Sequence, residues 1–129
     1  MIMVDTSAWI EYFRGGLPLI VSKVDRCLEQ DLVCIEDLVY CEVMQGIRSP
    51  HERSEVSPLL LSLPQFDRVG FRMAAKSASN YRFLRSKGVT VRKPIDVLIG
   101  TFCAENGLQL IHHDSDFDLM ARHIGLDII

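Results

Sequence analysis

The chain has 129 residues and a mass of 14.6 kDa, the size of one ordinary domain of roughly 100 to 200 residues, so a single unit over 1–129 is expected. With 48% hydrophobic and 24% charged residues and a mean hydropathy of +0.15, it holds enough apolar material to offset the entropy of folding, which excludes wholesale disorder. A formal net charge of −3 and a pI of about 5.7 argue against a basic protein that coats nucleic acid, but not against an enzyme whose acids gather at a metal.

Residues 1–4 form a short apolar run ending at Asp5, and Thr6 and Ser7 are suited to capping the helix that 8–13 would begin. Asp5 comes after only Ile2, Met3 and Val4 beyond the initial Met1, with no basic start and apolar stretch, so no secretory leader is expected and the expected compartment is the cytoplasm. Gly15, Gly16 and Pro18 interrupt the pattern, after which Ile20, Val24, Cys27 and Leu28 recur at helical spacing up to Gln30. Residues 32–35 are apolar and bounded by acids, the length of a buried parallel strand. Leu38, Cys41, Glu42 and Gln45 share a helical face until Gly46, which puts Glu42 about one turn into a third helix.

Between Ser49 and Pro64, the run Leu59 to Leu61 and a break at Pro58 predict a short helix or helical turn, followed by a small strand over 66–69. The alanine-rich stretch 72–87, closed by Gly88, predicts a long helix packing through Ala74, Ala75, Ala78, Tyr81 and Leu84. Pro94 can start another, with Ile95, Leu98, Ile99, Phe102 and Cys103 as an apolar stripe and Asn106-Gly107 as its end. The longest largely apolar run, 97–104, is interrupted by Gly100 and Thr101 and falls far short of the roughly 20 residues that cross a bilayer, so no membrane span is expected. Residues 108–111 read as a strand, 117–124 as a short helix and 126–129 as a terminal strand. Cys27, Cys34, Cys41 and Cys103 sit among apolar neighbours without a C-x-x-C pair and read as buried small hydrophobes.

Strands alternating with helices predict an α/β fold with a mainly parallel central sheet flanked by helices. In such sheets, sites form beyond the carboxyl ends of the strands, and Asp5 and Asp114 both follow strands, which places them on one edge. Glu42 and Asp96 lie in the early turns of helices. Any one of these acids alone reads as a helix cap or a solvated charge. Four at such stations repel one another unless cations neutralise them, and an oxygen-only cluster suits Mg²⁺ or Mn²⁺. A divalent site can activate water and stabilise the oxyanions of a phosphodiester displacement. Two bound ions would also turn the formal charge slightly positive. Among the basic residues, Arg92 and Lys93, immediately before the Asp96 helix, are the best candidates for RNA phosphate contact.

The opening Val4-Asp5-Thr6-Ser7-Ala8-Trp9-Ile10, Glu42 on the third helix, Asp96 in Asp-Val-Leu-Ile-Gly, and Asp114-Ser115-Asp116-Phe117 together resemble PIN domains, specifically VapC toxins of bacterial type II toxin–antitoxin pairs. The resemblance covers essentially the whole chain. It implies a metal-dependent endoribonuclease, a homodimer, and inhibition by a VapB-like antitoxin. It implies catalytic and metal-site roles for Asp5, Glu42, Asp96 and Asp114, with Thr6, Ser7 and Asp116 supporting. The family often has Ser or Thr two residues before the fourth acid, where this chain has His112.

His112 and His113 could bind a transition metal or act as acid and base, but no H-x-x-H or Cys spacing joins them, which favours a structural or phosphate-contacting role. No nucleophilic triad or glycine-rich phosphate loop is present. The alternatives are a receiver-like Mg²⁺-binding signalling module, although receivers carry adjacent acids where Thr6-Ser7 stand here, and an idle RNA-binding PIN-like domain, against which the intact acids argue. Of the last two acids, Asp114 is expected to face the metal and Asp116 to cap the final helix. Trp9, Tyr12, Phe13 and Leu59 to Leu61 are candidates for a partner groove, with core packing as the competing reading.

Overall fold

The computed structural model describes residues 1–67 and 70–129. Its strands are β1 (Ile2–Val4), β2 (Val33–Glu36), β3 (Gln65–Phe66), β4 (Gln109–Ile111) and β5 (Asp127–Ile128). They form one sheet in the order β3-β2-β1-β4-β5, with every pair parallel. The helices are α1 (Thr6–Phe13), α2 (Pro18–Glu29), α3 (Asp37–Gly46), α4 (Pro50–Leu61), α5 (Phe71–Ser86), α6 (Pro94–Asn106) and α7 (Ser115–Ile124). Among the described residues, no helix is long and apolar enough to cross a membrane.

Every residue of β1 and β2 is buried, as expected of strands covered by helices on both faces. The chain lays down β1, moves outward to β2 and β3, then returns to the other side of β1 for β4 and β5. The order therefore reverses at β1, and in open parallel sheets the carboxyl ends of the strands at such a point are where ligands bind. Val4 pairs with Ile111, and the Asp5 amide donates to the Ile111 carbonyl at 2.9 Å, so the residues leaving β1 and β4 emerge side by side.

Trp9 is fully buried and stacks on Phe13 with ring centroids 5.3 Å apart, so it belongs to the core and not to a partner groove. Leu60 is buried as well, while Leu59 and Leu61 are exposed. Pro58 does not break α4, which runs on to Leu61. A proline removes only its own N–H bond, and the buried Val56 and Leu60 on either side hold the helix to the core across that gap.

In α5 the buried residues are Met73, Ser77 and Leu84, whereas Ala74, Ala75 and Ala78 are exposed. The helix turns a partly polar face to α6 because Asn80 Nδ2 donates to the fully buried Thr101 Oγ1 at 3.0 Å, which satisfies both groups. Alanine methyls carry too little apolar area to set the face against that pair. Cys41 is exposed, unlike the other three cysteines, because it lies on the side of α3 away from the buried Val39 and Val43. Of the strand expected over 66–69, Phe66 lies in β3, and Arg68 and Val69 lie outside the described residues.

Candidate metal centre

Asp5 ends β1 and is itself the N-cap of α1. Thr6 and Ser7, expected as caps, are instead the first helical residues, because the extended residue before the helix is the acid. Asp5 Oδ2 accepts from the Ser7 backbone N–H at 2.8 Å and from the Ser7 hydroxyl at 2.5 Å. Its other oxygen, Oδ1, is buried with no hydrogen-bond partner among the described residues. Ser7 Oγ also accepts from the His113 backbone N–H at 2.9 Å, which ties the loop after β4 to the turn after β1.

That loop delivers Asp114 to the N-cap of α7, where its Oδ1 accepts from the Asp116 N–H at 3.0 Å. The capping role expected of Asp116 therefore belongs to Asp114. The helix starts two residues earlier than its apolar pattern indicates, which moves Asp116 inside the first turn, where it is buried. Two helices thus begin at this edge with a carboxylate on each positive end.

Asp96, in the first turn of α6, is 4% exposed, and its Oδ2 has no hydrogen-bond partner among the described residues. Carboxylate oxygens of Asp96, Asp114 and Asp116 lie within 4.8 Å of one another. Burial first, and then the charges of Asp5, Asp114 and Glu42, push the Asp96 pKa up to about 7 against the opposing pull of Lys93. Burial also raises the Asp5 pKa, more than the Ser7 bonds lower it. Glu42 joins from α3, where its Oε2 accepts from Thr6 Oγ1 at 2.9 Å. The four acids read from the sequence are thus electrostatic neighbours, and Asp116 stands with them.

Arg92 lies at the lip. Its Nε is 3.6 Å from Asp116 Oδ2, its Nη2 is 4.0 Å from Asp114 Oδ1, and its backbone N–H points to Asp116 Oδ2 at 3.4 Å. Lys93, exposed, sits at the N-cap position of α6. His112 Nδ1 accepts the Asp114 N–H at 3.1 Å, and its Nε2 is 3.4 Å from Asp118 Oδ1. Burial lowers the His112 pKa against the nearby acids. The Asp118 contact has no sequence signal beyond its place in the first two turns of α7.

The donor set fits a hard divalent cation. It is made of oxygens, two of them buried and unpartnered on Asp5 and Asp96, and no soft ligand stands among them. Elsewhere, Tyr12, Phe13, Val21, Val56 and Leu59 line a groove of about 490 Å³ that Asp25, Glu52 and Glu55 also border. A second, apolar cleft of about 360 Å³ lies between α5 and α6, lined by Ala74, Ala78, Tyr81, Val97 and Leu98.

Acids gathered at the switch point of a parallel α/β sheet, with basic side chains at the lip, suit metal-assisted phosphodiester hydrolysis. The PIN domain family matches residues 2–123. Ribonuclease VapC11 of Mycobacterium tuberculosis is 34% identical over 127 residues, covering 95% of this chain and 92% of its own, and the VapC ribonuclease Mb1587 of Mycobacterium bovis matches equally. The chain belongs to the PIN domain family and, within it, to the VapC group. Its fold is that of VapBC2 from Rickettsia felis bound to a promoter DNA fragment (TM-score 0.78, 16% identity, 100% of this chain and 98% of that one). It is also that of DNA-bound VapBC from Salmonella typhimurium (TM-score 0.77, 20% identity, 100% and 98%). Family membership sets aside the receiver-like alternative.

Proposed function

We propose that this chain is the toxin of a type II toxin–antitoxin pair, a metal-dependent endoribonuclease in which Asp5, Glu42, Asp96 and Asp114 hold Mg²⁺ or Mn²⁺ in the cytoplasm. The observation that carries the reading is the pair of buried, unpartnered carboxylate oxygens on Asp5 and Asp96 within one acidic cluster. When bound, the ion supplies Lewis-acid stabilisation of the charge that develops on the scissile phosphate and lowers the pKa of the attacking water. Ser7 fixes the Asp5 carboxylate and Thr6 fixes Glu42, so these hydroxyls set ligand orientation. Asp116 adds charge beside Asp96 and Asp114 and anchors Arg92. Arg92 and Lys93 are exposed at the lip, which supports a role in meeting RNA phosphates.

The same reading assigns the groove bordered by Asp25, Glu52 and Glu55 to a VapB-like antitoxin with a basic amphipathic segment, because its apolar floor and acidic rim complement such a helix. The cleft of α5 and α6 is assigned to a homodimer contact. A stable monomer in light scattering at high micromolar concentration would count against the dimer.

The direct test is incubation of the purified protein with total RNA and Mg²⁺ or Mn²⁺, followed by sequencing of the new 5′ ends. Discrete ends are expected from the wild type, and none from Asp5→Asn or in excess EDTA. Undiminished cleavage in EDTA would overturn the metal-dependent mechanism.

A further inference from the structure

We propose that His112 is a positioning residue for Asp114: its Nδ1 accepts the Asp114 backbone N–H and so sets the loop that presents this carboxylate beside Asp96. The inference rests on the metal-centre reading above. Only residues 112–114 separate β4 from α7, so the Asp114 carboxylate has little room to be steered except by the hydrogen bonds of those residues. One of them runs from the His113 N–H to Ser7 Oγ at 2.9 Å, which fixes the loop to the Asp5 turn. The next runs from the Asp114 N–H to His112 Nδ1 at 3.1 Å.

A nitrogen that accepts must offer its lone pair, so the imidazole proton lies on Nε2. That atom is 3.4 Å from Asp118 Oδ1 on α7. The ring therefore spans the loop and the helix that follows it, held at both nitrogens, and its centroid is 5.3 Å from that of Phe117. Its side chain is 7% exposed, so water does not compete freely for Nδ1.

An acceptor reaching the backbone N–H two residues ahead is the geometry that Ser, Thr, Asn and Asp commonly provide in turns. Here the imidazole provides it and adds an anchor on α7 that a short hydroxyl could not reach. The consequence falls on Asp114, because one of its oxygens, Oδ1, is committed to capping α7 through the Asp116 N–H. The direction of its other oxygen then depends on the backbone angles that the His112 bond holds. Residues that orient a metal ligand typically change metal affinity by 10- to 100-fold when altered.

Two substitutions separate the functions of the ring. His112→Asn keeps an acceptor close to the position of Nδ1 and loses the reach to Asp118, whereas His112→Gln keeps a polar group near Nε2 and loses the acceptor toward Asp114. Mn²⁺ affinity of the folded proteins, read by electron paramagnetic resonance of free Mn²⁺, is the primary measurement, with thermal unfolding alongside. His112→Asn should stay near wild-type affinity, and His112→Gln should bind roughly 10-fold or more weakly, with RNA cleavage falling in parallel. Equal affinities in the two variants, whether both high or both low, would overturn the proposal.

A second measurement requires no variant. A long-range ¹H–¹⁵N spectrum of the wild-type protein should show the His112 proton on Nε2, and a proton on Nδ1 would refute the assignment. Asp5→Asn serves as the control for the underlying reading. If the wild type binds Mn²⁺ no better than Asp5→Asn, the metal centre itself is misassigned and the role of His112 falls with it. If only the histidine variants fail to differ, the metal centre stands and the positioning role alone is lost.

Discussion

Asp96 and Asp5 place carboxylates where water is largely excluded and leave one oxygen of each without a partner among the described residues. The Asp96 pKa is about 7 in the folded chain, against a usual 3.8. Between those values the native state holds a proton that the unfolded state has released, so the protein without metal loses stability as pH rises from about 4 through 7 and levels off above. Asp5 shifts in the same direction and adds to the trend. Thermal unfolding in EDTA should therefore give a lower melting temperature at pH 8 than at pH 5.5, and saturating Mn²⁺ should reduce or reverse the difference. A metal-free protein that becomes more stable across that interval would contradict the burial of these charges. That Asp5, Glu42, Asp96 and Asp114 come together was legible in the sequence because each sits at a strand exit or in the first turns of a helix. The geometry around Asp116 was not, because a two-residue change in where α7 begins exchanges the capping and inward-facing acids.

At the scale of elements, α1 and α7 both start on an acid of the cluster, so Asp5 and Asp114 cap a helix as well as standing among the acids around Asp96. This joint role makes the choice of substitution informative at position 114. Asp114→Asn keeps an N-cap oxygen and deletes the charge, so cleavage should collapse while the melting temperature in EDTA holds. Asp114→Ala loses both, and should cost about 0.5–2 kcal/mol of stability in addition to activity. Equal stability of the two variants in EDTA would show that the cap is not the source of the loss. The order of strands and helices was readable because short apolar runs bounded by Gly, Pro and acids mark a parallel sheet covered on both faces. Two features were not. Pro58 looked like a break, since the anchoring of Val56 and Leu60 is a tertiary effect. The inward face of α5 carries Ser77 and Asn80, since the hydrogen bond of half-buried Asn80 to buried Thr101 outweighs the small apolar area of exposed alanines.

For the whole molecule, a formal charge of −3 is spread unevenly, with acids clustered at the switch point of the sheet and again along the groove of α1, α2 and α4. The first cluster makes the folded state itself the source of repulsion, because unfolding would separate Asp5, Glu42, Asp96 and Asp114, which are far apart along the chain. A cation that binds only the folded arrangement therefore stabilises the entire cooperative unit, by about 2.7 kcal/mol when its concentration is 100 times its dissociation constant. For a chain of this length that corresponds to a rise in melting temperature on the order of 10 °C. The measurement is thermal unfolding at pH 7.5 with and without Mn²⁺, in the wild type and in Asp5→Asn, at matched ionic strength so that general screening is the same in both. The wild type should show the larger rise, because Asp5→Asn removes one buried ligand charge and relieves part of the repulsion in advance. An equal rise in the two proteins would mean that the ion stabilises the fold from somewhere other than the acidic edge of the sheet.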